Sequence, residues 1–204
     1  MIPITDPCVY IVDDDEAVLD SMSLLLRLKG MKSRGFASAE AFLEFWRPEH
    51  RGCLLLDWRM EGMDGPTLQQ TLAERGSHLP VVFITAFGDT TKARLAFKGG
   101  AVDFLEKPLD DRLLFASIQE ALKQDAWQSQ QDKRQSEVAS RMGRLTPRER
   151  QVLEQVLAGR RNQEIAHDLQ ISPRTVEVFK TRMMEKMQAQ TLPDLVRMVN
   201  LEPE

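Results

Sequence analysis

The sequence predicts two folds in one chain: an α/β domain built on a doubly wound parallel sheet, then a small all-helical domain. Three observations carry this. Over the first 110 residues, short continuous apolar runs alternate with amphipathic, helix-periodic segments. From Asp110 to Met142 there is neither Gly nor Pro. After Gly143 the pattern is helical alone.

The apolar runs are CVYIVD (8–13), CLLLD (53–57), VVFIT (81–85) and VDFLE (102–106), with a weaker KSRGF at 32–36. Runs without polar alternation indicate strands buried on both faces, as in a parallel sheet. Helical spacing predicts helices over Ala17–Leu28, Ala39–Trp46, Pro66–Arg75 and Thr90–Lys98. Gly30, Gly35, Gly76 and the Gly99-Gly100 pair mark the joints.

Leu113–Leu122 has a clear apolar face, whereas Asp125–Glu137 is rich in Gln, Ser and charge with Trp127 as its one large apolar residue. We read a single long helix whose second part is a linker. A polar helix with little to pack against is marginal alone, so a flexible linker is the competing reading. Thr146-Pro147-Arg148-Glu149 has the layout of a capping box with Pro at the first helical position. That helix runs to Gly159, and Asn162–Leu169 follows. Gln170-Ile171 form a turn, Ser172-Pro173 open a third helix to about Met187, and Thr191–Asn200 make a fourth. The expected domains are 1–124, a helical linker 125–143, and 144–204.

The chain has 204 residues, 42% apolar and 28% charged, the balance of a globular protein. No apolar run approaches the roughly 18 residues of a membrane span, and MIPITDPCVY lacks the layout of a secretory signal. Cys8 and Cys53 both lie in apolar runs and read as buried hydrophobes of a reduced, intracellular protein. Residues 1–143 hold 17 Lys/Arg against 22 Asp/Glu, and residues 144–204 hold 10 against 9. Binding to nucleic acid must then come from arrangement and not from bulk charge.

Parallel strands end on one sheet edge, and ligands bind outside those carboxyl ends. The first strand ends in Asp13-Asp14-Asp15, the third in Asp57, the fourth in Thr85, and the fifth leads into Lys107-Pro108. Bunched carboxylates repel unless a cation joins them, and oxygen ligands with room for water suit Mg²⁺. With Lys and Thr beside it, such a site suits phosphoryl transfer. Asp15 reads as an N-cap and Asp64, before Gly65, as a turn residue. His50, His78 and His167 share no ligand spacing.

VDDD, LLLDWRMEGMDG, FITA and FLEKP, in that order over residues 8–108, make this part resemble a two-component receiver domain. The resemblance implies a flavodoxin-like fold of five parallel strands in the order 2-1-3-4-5. It implies Asp57 as phosphoacceptor, and Mg²⁺ held by Asp14, Asp57 and the backbone carbonyl of Arg59, with Asp13 assisting through water. Lys107 would contact the phosphoryl oxygens, Thr85 would move to hydrogen-bond them, and Phe104 stands at the aromatic switch position. Glu61 departs from the family, which usually places Pro there.

In the third C-terminal helix Val176, Phe179, Met183 and Met187 recur at core spacing. Arg174, Glu177, Val178, Thr181, Arg182 and Glu185 are left outside, a face that fits a major groove. Lys180, Arg182 and Lys186 are expected on phosphates, and Arg160-Arg161 with them. A solvated face is the plainer alternative, favoured by Glu177 and Glu185, which phosphates repel. The run LTPRERQVLEQVLAG…NQEIAHDLQISPRTVEVFKTRMMEKM resembles the LuxR-type helix-turn-helix domain. By that resemblance Glu177, Val178 and Thr181 face bases, and Arg174 and Thr175 join the DNA-binding face.

Together the halves resemble a response regulator of the FixJ/NarL class. That implies a cytoplasmic bacterial transcription factor, phosphorylated by a sensor histidine kinase, binding double-stranded promoter DNA and working with RNA polymerase. Phosphorylation is expected to drive homodimerisation through the fourth helix and fifth strand. One rival is an aspartate phosphatase, opposed by Arg59 where such enzymes need a second carboxylate. The other is a receiver that docks without phosphorylation and regulates transcription in that way.

Overall fold

The computed structural model describes residues 6–86 and 90–200. The chain divides into two compact units, 1–129 and 130–204.

The first unit alternates strand and helix: β1 (Cys8–Val12), α1 (Glu16–Leu28), β2 (Ser33–Phe36), α2 (Ala39–Phe45), β3 (Gly52–Asp57), α3 (Gly65–Glu74), β4 (Val81–Thr85), α4 (Thr90–Lys98) and β5 (Asp103–Glu106). Helix α5 (Asp111–Gly143) follows and contributes residues to both units. The five strands form one parallel sheet in the order β2-β1-β3-β4-β5, as expected.

Alternation along the strands separates two cores. Tyr10, Val12, Leu54, Leu56 and Phe83 pack with Phe42, Leu68, Leu72 and Ala96 of α2, α3 and α4. Val9, Ile11, Leu55, Val82 and Ile84 face the other way, onto Met22 and Leu26 of α1 and Leu114 and Ile118 of α5. This is why the strands read as unbroken apolar runs: both faces are covered. Each wholly buried Leu or Phe contributes roughly 1.5–3 kcal/mol through burial.

Local signals act where the sequence suggests, with one correction. Asp15 caps α1 by accepting the Ala17 N–H at 2.9 Å. Asp64 is more than a turn residue: its carboxylate accepts the Thr67 N–H at 2.9 Å and caps α3. Anionic oxygens at a helix start satisfy donors that have no partner within the helix.

In the second unit, α6 (Pro147–Leu157), α7 (Asn162–Leu169), α8 (Pro173–Met187) and α9 (Leu192–Asn200) follow the end of α5. The capping box before α6 is complete: Thr146 Oγ1 accepts the Glu149 N–H, and Glu149 Oε2 accepts the Thr146 N–H. Ser172 caps α8 through the Thr175 N–H at 3.0 Å. Val152, Ile165, Ala166 and Val176 form one core, with Phe179 half-buried against it. Leu145, Leu153, Met183, Met187 and Leu195 form a second. Val138 and Met142 of α5 pack on that second core, so the polar half of α5 is anchored by two apolar residues.

Candidate functional site

The strand register delivers the acidic residues to one edge. Val12 pairs with Leu56, Asp57 with Ile84, and Thr85 with Glu106, so Asp13, Asp57, Thr85 and Lys107 all emerge at the carboxyl ends. Lys107 Nζ lies 2.8 Å from Asp57 Oδ1 and 2.8 Å from Asp13 Oδ2. The main chain fixes the rest. Asp57 Oδ2 accepts the Arg59 N–H at 2.7 Å, Asp13 Oδ1 accepts the Asp15 N–H, and the Thr85 carbonyl accepts the Lys107 N–H.

Asp57 is 7% exposed and Asp13 is 3% exposed, so one cation stands between two desolvated carboxylates. Burial pushes the Asp57 carboxyl above its ordinary range, against the opposing pull of Lys107 and the Arg59 N–H. Burial works against the Lys107 charge, yet the hydrogen bonds it donates to Asp13 and Asp57 hold its ammonium above the usual lysine value. The Asp57 carboxylate is thus high in proton affinity and pre-paired with a cation, an arrangement that suits a nucleophile for an electrophilic phosphorus.

Asp14 is exposed and turned to the loop after β3, where its Oδ2 accepts the Glu61 N–H at 2.9 Å. A proline at 61 has no such donor. Glu40 of α2 holds the same loop through the Met63 N–H at 3.1 Å. A Cβ on Gly65 would fall 2.4 Å from the Asp57 carbonyl oxygen, so glycine lets α3 begin directly behind Asp57. Among the described residues no three His, Cys, Asp or Glu side chains are grouped to hold a metal. Mg²⁺ does not require that, since it keeps waters and takes one or two carboxylates with phosphate oxygens. The converged pair Asp13 and Asp57 has the right donor chemistry.

Phe104 on β5 is half-buried and meets Trp58 edge-on, with centroids 5.6 Å apart and planes at 78°. Trp58 also packs on Phe83 at 5.0 Å. Periodicity does not reveal this contact, which joins the residue after Asp57 to Phe104 on β5. Nor does it reveal the buried pair of Arg51 and Asp125, 3.2 Å apart.

On α8 the described side chains Arg174, Glu177, Val178, Thr181, Arg182 and Glu185 are exposed, opposite the buried Val176, Met183 and Met187. Three residues expected at DNA have contacts within the unit. Lys180 Nζ donates to Asn162 Oδ1 at 3.1 Å, and Thr175 and Ser172 share a hydroxyl hydrogen bond at 2.7 Å. Lys186 is the third: its Nζ meets the Glu149 carboxylate at 2.6 Å. Burying Glu149 requires a cation, and Lys186 supplies it.

Comparison with known proteins agrees with this architecture. The model described as "Response regulator receiver domain" matches residues 9–119, and that described as "Bacterial regulatory proteins, luxR family" matches residues 143–199. Transcriptional regulatory protein FixJ of Azorhizobium caulinodans is 46% identical over 95% of this chain and 92% of its own length. The FixJ protein of Rhizobium meliloti is 42% identical over 95% of each. The solved structure of the response regulator StyR, 38% identical, superposes with a TM-score of 0.87 over 97% of this chain and 100% of that one. Full-length FixJ from B. japonicum, 40% identical, gives 0.59 over 96% of this chain and 97% of that one.

Proposed function

The chain belongs to the response regulators that join a receiver domain to a LuxR-family DNA-binding domain, and we propose that phosphorylation of Asp57 controls its binding to promoters. The observation that carries this reading is Lys107 Nζ at 2.8 Å from both Asp57 and Asp13. The donor is a phosphohistidine of a sensor kinase. An Asp57 oxygen forms a bond to phosphorus, the N–P bond breaks, and the imidazole leaves with the electron pair. Lys107 meets charge developing on the phosphoryl oxygens. Mg²⁺ bound by Asp13, Asp14, Asp57 and the Arg59 carbonyl would supply further charge neutralisation at those oxygens.

The new phosphate carries about −1.5 to −2 charge and draws Thr85 toward it, and Phe104 follows inward. Leu95 and Phe97 of α4 and Leu113 of α5 are more than half exposed, apolar side chains that a two-fold dimer can cover. Dimerisation pairs two small DNA-binding units on two half-sites and gives an affinity that one unit seldom reaches. The assembly regulates RNA polymerase at the promoter, in the bacterial cytoplasm. No helix among the described residues is long and apolar enough to cross a membrane. Turnover is limited to slow loss of the chain's own phosphate.

The test is light scattering and promoter binding after incubation with acetyl phosphate and Mg²⁺, for the wild type and Asp57→Asn. Doubling of mass and tighter binding in the wild type alone supports the reading. Equal behaviour of both proteins overturns it in favour of a receiver that docks without phosphorylation.

A further inference from the structure

The exposed face of α8 carries an acid where DNA-binding surfaces ordinarily carry cations. Glu177 is exposed, and its carboxylate forms no hydrogen bond or ion pair among the described residues. Its neighbours on the face differ. The Thr181 hydroxyl donates back to the Glu177 carbonyl at 3.0 Å, and the Lys180 ammonium is held by Asn162. Val178 beside it is 44% exposed and apolar. The centre of the face therefore presents one unpartnered carboxylate and one isopropyl group, flanked by Arg174 and Arg182.

A carboxylate brought to a duplex is repelled by phosphate, and it loses water on entering the groove. That loss is offset only where a base edge donates. In the major groove the donors are the exocyclic amino groups of cytosine and adenine. Adenine sets its N7 acceptor beside the amino group, and two facing acceptors repel. Cytosine has a C–H beside its amino group and presents no such acceptor. A valine next to the acid fits a thymine methyl.

We propose that Glu177 is a specificity-determining residue that accepts a hydrogen bond from the amino group of a cytosine in each half-site, with Val178 against a neighbouring thymine methyl. This rests on the reading that α8 enters the major groove. It also explains how a chain with little net positive charge in its second unit discriminates: the acid weakens binding to every sequence lacking the donor.

The experiment selects duplexes from a randomised library with the full-length phosphorylated chain, as wild type, Glu177→Ala and Glu177→Gln. Expected is a strong cytosine preference at one position per half-site in the wild type. Glu177→Ala loses that preference by about fivefold or more while other positions keep theirs. Glu177→Gln shifts the same position toward adenine, which offers a glutamine amide both an acceptor and a donor. Base frequencies identical in wild type and Glu177→Ala at every position overturn the proposal. So does a Glu177-dependent position that selects any base but cytosine. A wild type retaining no duplex above background would instead defeat the groove reading itself.

Discussion

Arg51, just before β3, lies 3.2 Å from Asp125 in the middle of α5, and both side chains are largely buried. The Arg51 guanidinium also donates to the main-chain carbonyl of Asp125. The pair ties α5 to the edge where β3 begins, away from the edge that carries Asp57. Removing one partner of a buried pair leaves a desolvated charge.

Arg51→Ala should therefore destabilise the first unit by about 3 kcal/mol, and Arg51→Ala with Asp125→Ala by clearly less. Trp46, Trp58 and Trp127 all belong to residues 1–129, so tryptophan emission during urea unfolding follows that unit alone. A single variant as stable as the wild type would show the pair to be idle.

What the sequence made legible follows from local physics. Unbroken runs such as CLLLD announce strands covered on both faces, and Thr146 and Ser172 announce helix starts, each accepting a main-chain N–H three residues on. Asp13, Asp57 and Lys107 were readable because parallel topology sends strand ends to one edge. Arg51 with Asp125, and Lys186 with Glu149, were not. They join residues 74 and 37 positions apart, and long polar side chains leave no period by which a partner could be read. Asp64 resembled a turn residue because capping and turning use the same side chain–backbone hydrogen bonds.

Asp57→Asn should stabilise the first unit. Burial raises the folded-state pKa of Asp57 above its unfolded value, so the ionised carboxylate is disfavoured in the fold. By linkage its contribution is best below the unfolded pKa and is lost as pH rises through the folded one. At neutral pH, Asn retains an acceptor and removes the charge. A gain on the order of 1 kcal/mol raises Tm by roughly 2–4 °C, and the gain should vanish in acid. A lower Tm for Asp57→Asn at neutral pH would contradict it.

Trp58 should report the proposed switch. Its ring meets Phe104 edge-on at 5.6 Å, so inward movement of Phe104 changes its surroundings. In a Trp46→Phe, Trp127→Phe background, beryllofluoride with Mg²⁺ should alter Trp58 emission, and Phe104→Leu should abolish most of that change. Emission indifferent to beryllofluoride would uncouple Phe104 from the acceptor.

Lys186→Met should destabilise the second unit more than Glu149→Gln does. Burial raises the Glu149 pKa, but hydrogen bonds from Lys186 and Thr146 outweigh it and hold the carboxyl below its ordinary range. Its contribution is complete above the unfolded value of about 4.3 and is lost as pH falls through the lowered folded pKa. Lys186→Met leaves the buried carboxylate without its cation. We expect a cost of about 2 kcal/mol, less than a fully buried pair because Lys186 is a third exposed. That cost should shrink as the pH falls, because the carboxyl left without its cation is relieved by taking a proton. Glu149→Gln keeps an acceptor for the Thr146 N–H and should cost only about 1 kcal/mol. Far-UV circular dichroism, compared with tryptophan emission from the first unit, separates the two transitions. With its charge held by Glu149, Lys186 contributes little to DNA, so Lys186→Met should leave the salt dependence of duplex binding unchanged. A slope reduced by about one would return Lys186 to a phosphate.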